Sequence, residues 1–356
     1  MRLEIVSRGE RSKAWTYLSP VLALTLTLVT AAIIFAFLGK DPLEALRVMW
    51  IDPWMTKRGF AELFVKGAPL IMIAIGLALG FRANVWNIGA EGQYVMGAIF
   101  ASGVALYFYE VETWPVWLAM IPAGILGGAL WGAIPAFLKI RFNANEILTS
   151  LMLTYVASLI LLYLVVGPWK DPEGYGFPQS RMFAESANSP RLISGTRIHV
   201  GVFMALAVVA LGWFVFSKSL LGFQLKVLGQ APRAAVYAGF STRALTWISL
   251  LVSGGLAGLA GMFEVAGPIG QLNPALPTGY GFTAIIVAFL GRLHPIGIFF
   301  GGLVLALSYL GGEKAQIALG LPAAVVKINQ GILLFYLLAC DLFIRYRLRI
   351  KARKVA

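Results

Sequence analysis

Residues 84–98 read NVWNIGAEGQYVMGA, and four of them, Asn84, Asn87, Glu91 and Gln93, carry amide or carboxylate groups. Apolar runs flank the stretch on both sides. In such a setting these groups can bind a polar solute, carry a proton, or cap helix ends and bond neighbouring helices. At 3.6 residues per turn, positions 84, 87 and 91 fall on one face of a helix, and Gly89, Gln93 and Gly97 on another. An ionised glutamate near the bilayer centre costs about 2.5–3.5 kcal/mol on insertion scales, so it must face protein, water or a partner. Asn87, Glu91 and Gln93 are therefore candidates for the wall or gate of a solute path. Capping is the competing reading, and it weighs more for Asn84 and Asn87, which sit just inside a membrane boundary.

Three further stretches pose related questions. In NANEILTSLMLTY (143–155), Asn145 can cap a helix whose first turn holds Glu146. Thr149, Ser150, Thr154 and Tyr155 then follow into apolar surroundings, where hydroxyls can bond back to their own helix or to a hydroxyl-rich solute. Asn145, Glu146, Thr154 and Tyr155 join the path candidates. In EVAGPIGQLNPALPTGYGFT (264–283), Glu264 ends an apolar run, and the prolines and glycines that follow forbid a regular helix through 267–281. That break, decorated by Gln271, Asn273, Thr278 and Tyr280, reads as a loop dipping into an outer vestibule, with Glu264 as another path candidate. LGFQLKVLGQAPRAAVYAGFSTRA (221–244) is soluble in character. Pro232 opens a short helix, Arg233 to Ala238, that Gly239 closes, and a short helix in a large loop docks more often than it catalyses.

Catalytic signatures are missing. The sequence holds no G-x-x-x-x-G-K-[ST], G-x-S-x-G or H-E-x-x-H. His199 and His294 lie far apart, and Cys340 is the single cysteine, so neither a metal site nor an internal disulfide is expected.

The elements that must position these residues are membrane helices. Of 356 residues, 59 % are hydrophobic and 13 % charged, and the mean hydropathy is +0.80. Soluble domains carry a charged fraction of about 25 %. A helix needs on the order of 20 apolar residues to cross the bilayer core. Trp15 to Leu38, Pro115 to Leu138 and Ile147 to Val166 each qualify, and about ten spans are expected in all. The eighth, 279–291, is too short to cross alone. The first apolar run, Leu18 to Leu38, is too long for a signal-peptide core and reads as a retained helix. The fold class is therefore all-α, a polytopic helical bundle in one transmembrane domain.

Net charge is +13. Lys and Arg cluster in the N-terminus (Arg2, Arg8, Arg11, Lys13), the loop Lys218–Arg243 and the tail Arg345–Lys354, which places both termini in the cytoplasm. The acids Asp41, Glu44, Asp52, Glu110, Glu112, Asp171, Glu173 and Glu185 collect on the other side, where 39–60 predicts a short amphipathic helix and 168–198 an irregular outer loop. Gly124, Gly128 and Gly132, Gly254 and Gly258, and Gly297 and Gly301 recur at four-residue spacing, which predicts close helix packing. Spans two to five and seven to ten suggest an inverted-topology repeat, a common transporter design.

Four segments together resemble the permease subunits of ABC importers for nucleosides and simple sugars, related to ribose and branched-chain amino-acid permeases. They are FRANVWNIGAEGQYVMGA (81–98), NANEILTSLMLTYVA (143–157), LGQAPRAAVYAGF (228–240) and GYGFTAIIVAFLGRLHPIG (279–297). The resemblance implies a multi-pass cell-membrane subunit that is not itself an enzyme. It implies a separate ATPase subunit carrying ATP and Mg, an extracytoplasmic solute-binding protein, and a second permease chain in a heterodimer. It also implies that Gly229, Pro232, Arg233, Ala234, Ala235, Tyr237, Ala238 and Gly239 couple the chain to the ATPase. The chain departs from the family pattern at Ala231-Pro232, often Asn-Pro, and at Leu153-Thr154-Tyr155, often Leu-Asn-Tyr. The alternative is a proton-coupled secondary transporter with Glu91 and Glu264 as carriers.

Overall fold

A computed structural model describes residues 2–7, 13–111 and 114–351. Arg8, Arg11, Glu112 and Lys354, used above for topology, lie outside the described residues. Thirteen α-helices follow in order: α1 (Lys13–Phe37), α2 (Pro42–Trp50), α3 (Lys57–Arg82), α4 (Ala90–Tyr107), α5 (Trp117–Phe142), α6 (Glu146–Val166), α7 (Val200–Lys218), α8 (Leu220–Gln230), α9 (Pro232–Tyr237), α10 (Thr242–Glu264), α11 (Tyr280–Leu290), α12 (Pro295–Leu319) and α13 (Ala324–Arg345). One small antiparallel ribbon, β1 (Arg2–Ser7) with β2 (Tyr346–Lys351), is the departure from an all-helical chain among the described residues.

Among the described residues, eight helices are long and apolar enough to cross a membrane. Two of the expected spans fall short of that standard. The segment around 87–108 becomes α4, whose first residues are small or polar, and the segment 279–291 becomes α11, with 11 residues. At about 1.5 Å per residue α11 rises roughly 16 Å, half of a bilayer core.

Several helices start where a side chain satisfies their first N–H groups. Thr56, Asn145, Ser219 and Ser241 accept bonds from first-turn N–H groups of α3, α6, α8 and α10. Asp41 does the same for α2, the amphipathic helix expected within 39–60. Asn143, in left-handed geometry at φ +52°, ends α5 after Lys139 and Arg141, two cations placed well for a helix C-terminus.

Two compact units are present. The first comprises 1–55 and 307–356. In it α1 packs on α13 and α2 around Phe35, Met49 and Val325, with Ser19 Oγ donating to Asp341 (2.8 Å) and Thr30 bonded to Tyr336. The second, 56–306, contains every residue of the candidate site. Its centre is α3, buried along most of its length, with α10, α4 and α5. The last three meet at glycines. A Cβ on Gly128 would stand 2.1 Å from the Gly254 carbonyl oxygen, and one on Gly97 2.1 Å from the Gly258 Cα. The four-residue glycine spacing thus serves backbone-to-backbone approach of three helices.

Candidate functional site

Asn84, Asn87 and Glu91 do not share a helical face, contrary to the expectation from spacing. Residues 83–89 are non-helical, Asn84 is in left-handed geometry at φ +58°, and α4 begins only at Ala90. The reason is local. Asn84 Oδ1 accepts from Trp86 Nε1 (3.0 Å) and Asn87 Oδ1 from the Gly89 N–H (3.1 Å), short-range bonds that compete with helix formation.

The polar groups of this loop are consumed inside the protein. Asn87 and Gln93 face each other amide to amide, Asn87 Nδ2 donating to Gln93 Oε1 (2.7 Å) and Gln93 Nε2 returning a bond to Asn87 Oδ1 (3.1 Å). Asn87 Nδ2 also donates to Ser253 Oγ on α10 (2.9 Å), and the Ile88 N–H to Ser150 Oγ on α6 (3.2 Å). Thr154 backs onto Gly92, where a Cβ would come within 2.7 Å of its Cα. One loop thereby ties together the starts of α4 and α6 and the middle of α10.

Glu91 makes the remaining connection. It is 2 % exposed, and its carboxylate accepts from the Gly279 N–H through Oε1 (2.7 Å) and from the Gly281 N–H through Oε2 (2.5 Å). These donors belong to the N-terminus of α11, which follows Gly279 at φ +92° and has no capping side chain of its own. A helix that begins at membrane depth presents orphan N–H groups where water cannot answer them. A carboxylate from the neighbouring helix supplies the acceptors and a negative charge at the positive end of the helix dipole. Gly281 permits the approach, since a Cβ there would stand 2.2 Å from the Glu91 backbone nitrogen.

The far end of α11 is fixed as well, Arg82 Nε donating to the Leu293 carbonyl (3.0 Å) beside the Phe81, Trp86 and Phe289 rings. Between α10 and α11 the expected break is present. A π-turn, Val265–Ile269, contains Pro268, irregular chain follows to Gly279, and regular helix resumes at Tyr280.

The other path candidates are scattered. Asn145 caps α6, accepting from the Ile147 and Leu148 N–H groups, and Glu146 pairs with Lys139 of α5. Tyr155 is 61 % exposed on a stripe of α6 with Leu148, Met152 and Leu159. Glu264 ends α10 on the side of the molecule where Arg197 grips Glu62 of α3 through two bonds of 2.7 Å. Asn87, Glu91, Gln93 and Thr154 therefore share a junction, whereas Asn145 with Glu146, Tyr155 and Glu264 each lie elsewhere.

The soluble stretch folds into two helices, α8 and α9, of which α9 matches the expected one and ends at Gly239 with φ +77°. Its residues divide into two groups. Ala235 is fully buried in a cluster with Leu79, Val85, Leu225, Leu228 and Leu245, and Gly229 presses on the Arg82 carbonyl, where a Cβ would stand 2.0 Å away. Pro232, Arg233, Ala234, Tyr237, Ala238 and Gly239 are all exposed. An exposed face on a buried anchor is the form a docking element takes.

Residues 59–338 match the family described as branched-chain amino acid transport system, permease component. The chain belongs to that family. It is 35 % identical over 350 residues to a glucose ABC transporter permease of Haloferax volcanii, covering 95 % of this chain and 91 % of the relative. A guanosine ABC transporter permease of Bacillus subtilis is 31 % identical, with 90 % and 92 % covered, and a nucleoside ABC transporter permease of Lactococcus lactis subsp. cremoris 26 %, with 92 % of each. With eight helices among the described residues long and apolar enough to cross a membrane, this permease is a multi-pass membrane protein and the permease subunit of an ABC importer.

Ser253, Gly279, Gly281 and the Glu62–Arg197 pair were not singled out from sequence. Ser150 was named there as a hydroxyl for its own helix or a solute, and the glycines stood inside a quoted segment, but nothing local signals that Glu91 meets residues 188 and 190 positions away.

Proposed function

We propose that this permease carries a neutral, hydroxyl-rich solute, a nucleoside or a simple sugar, inward across the membrane. An ATPase subunit holding ATP and Mg supplies the energy, and a solute-binding protein outside delivers the cargo. The family supports both partners. A second permease chain completes a heterodimer, and both termini with the α8–α9 segment face the cytoplasm, in accord with the distribution of Lys and Arg. The spans include an inverted-topology repeat, with α11 and the loop before α4 as its broken elements.

The observation that carries this reading is α9. Arg233, Ala234, Tyr237 and Ala238 project from a helix whose Ala235 is fixed in the core formed with the ends of α3 and α10. A push on α9 therefore passes through α8 and their shared core to the ends of α3 and α10. Asn87, Glu91, Gln93 and Thr154 act as the frame of the solute path, and Asn145, Glu146 and Tyr155 line its cytoplasmic half along α6. Glu264 belongs to the outer rim. For Glu91 the frame role is favoured over proton carriage because both carboxylate oxygens already accept bonds that protonation would weaken.

The test is a mild-detergent pull-down of the tagged chain, with uptake assays on the cells. Co-purification of a P-loop ATPase, and uptake that stops on ATP depletion, is the expected result. Uptake that survives ATP depletion and collapses with the proton gradient would replace this reading with the secondary transporter.

A further inference from the structure

A second polar site lies away from the Glu91 junction. The irregular segment 180–191 is stitched to the break after α10, the Ser189 N–H donating to the Ala266 carbonyl (2.7 Å) and the Phe183 N–H to that of Gly270 (2.8 Å). Between them, against the start of α5, runs a cleft of about 600 Å³, walled by Trp117, Glu185, Asn188, Ser189, Arg191 and the backbone of 267–270. Small-molecule sites are concavities of this size with an apolar surface and a few convergent polar groups.

We propose that this cleft binds the ring of a neutral sugar, either free or as the ribose of a nucleoside. The wall offers a carboxylate that only accepts, a guanidinium that only donates, and an amide that does both. A ring bearing several hydroxyls needs that mixture, because each hydroxyl donates once and accepts as well. One acid and one base on the same wall also leave no net charge to select an ion. The Trp117 indole and the flanking prolines, Pro115, Pro190 and Pro268, give the C–H faces of such a ring an apolar surface.

The wall is held ready, since Gly270 at φ +76° turns the chain back and its N–H closes on the Val265 carbonyl (2.9 Å). The choice of sugar over other polyols rests on the importer reading. The cleft itself does not.

The experiment uses the full chain in nanodiscs, without ATPase or binding protein. Cys340 is the single cysteine, so Met182→Cys or Ile269→Cys in a Cys340→Ser background places one reactive thiol in the cleft lining without removing a polar group of the wall. Alkylation is timed with D-glucose, D-ribose or guanosine present. Bound solute slows labelling by a factor of 1 + [L]/Kd, about tenfold when solute stands at roughly ten times its Kd. Tyr175→Cys, at a position 98 % exposed and outside the cleft, is expected to label at one rate throughout. Slowing by all three solutes supports a site for the sugar ring, and slowing by ribose and guanosine alone supports the nucleoside. If neither cleft cysteine is protected while the assembled importer still takes up these solutes, the cleft proposal is overturned and the importer reading stands. Protection of the cleft without ATP-dependent uptake by the assembly supports the cleft and removes the importer reading.

Discussion

Glu91 is a buried carboxylate whose two oxygens already have backbone donors, and this makes its substitution informative. Glu91→Gln keeps the shape but turns one acceptor into a donor that faces a donor, so a buried N–H is left unpaired at about 1–3 kcal/mol. The expected outcome is a lower melting midpoint in detergent, with a larger drop for Glu91→Ala. A midpoint unchanged in both variants would mean that α11 does not depend on this cap. His199, just ahead of α7, gives a second test. Burial holds its imidazole below the ordinary 6.5, and the Arg197 charge acts in the same direction, against the Arg197 carbonyl and Glu62. A lowered folded pKa means that the unfolded chain binds the extra proton first, so stability falls as pH drops below about 6.5 and is level above it. The melting midpoint should therefore decline from pH 7.5 to 5.5, and part of that decline should vanish in His199→Gln. An identical profile in the variant would assign the pH dependence to other groups.

At the scale of elements, two kinds of contact do different work. The crossing of α5 with α10 is a contact of backbones, and Gly128→Val inserts a branched side chain where a single Cβ already stands 2.1 Å from a carbonyl. Overpacking costs typically about 1–3 kcal/mol where neighbours can yield, and here the neighbour is main chain. Loss of monodisperse protein on size-exclusion chromatography is expected, and full recovery at the parent yield would mean that the helices can part. The α9 helix should behave in the opposite way. Arg233→Glu and Tyr237→Ala alter exposed side chains, so the melting midpoint should hold while ATP-dependent uptake falls. A fall in both together would make these residues structural.

At the scale of the molecule, topology is open to direct measurement. Tyr175 and Tyr237 are nearly fully exposed on segments assigned to opposite sides. With Cys340→Ser as background, a membrane-impermeant thiol reagent added to intact cells should label Tyr175→Cys and spare Tyr237→Cys. The reverse pattern would invert the assignment of every loop. Much of this architecture was readable in advance: the apolar lengths, the cap at Asn145, the short helix at Pro232, the break after Glu264. These features depend on residues a few positions apart, and helix geometry relates such residues without further information.

The sequence by itself determined that this is a helical membrane protein, which residues open α6 and bound α9, and, through the match over 59–338, the family to which it belongs. It could not determine what Glu91 touches. A carboxylate at the start of one helix and a Gly-x-Gly nearly 190 residues later have no local relation, and the same letters suit a lipid-buried gate or a cap. Only the packing of α3, α4 and α10 brings the half-length α11 to that carboxylate. Packing likewise divided the α9 residues into an anchor and an exposed face, because burial depends on which elements lie alongside. In a bilayer a buried polar group must find its partner within the protein, and the partner's position is a property of the tertiary structure.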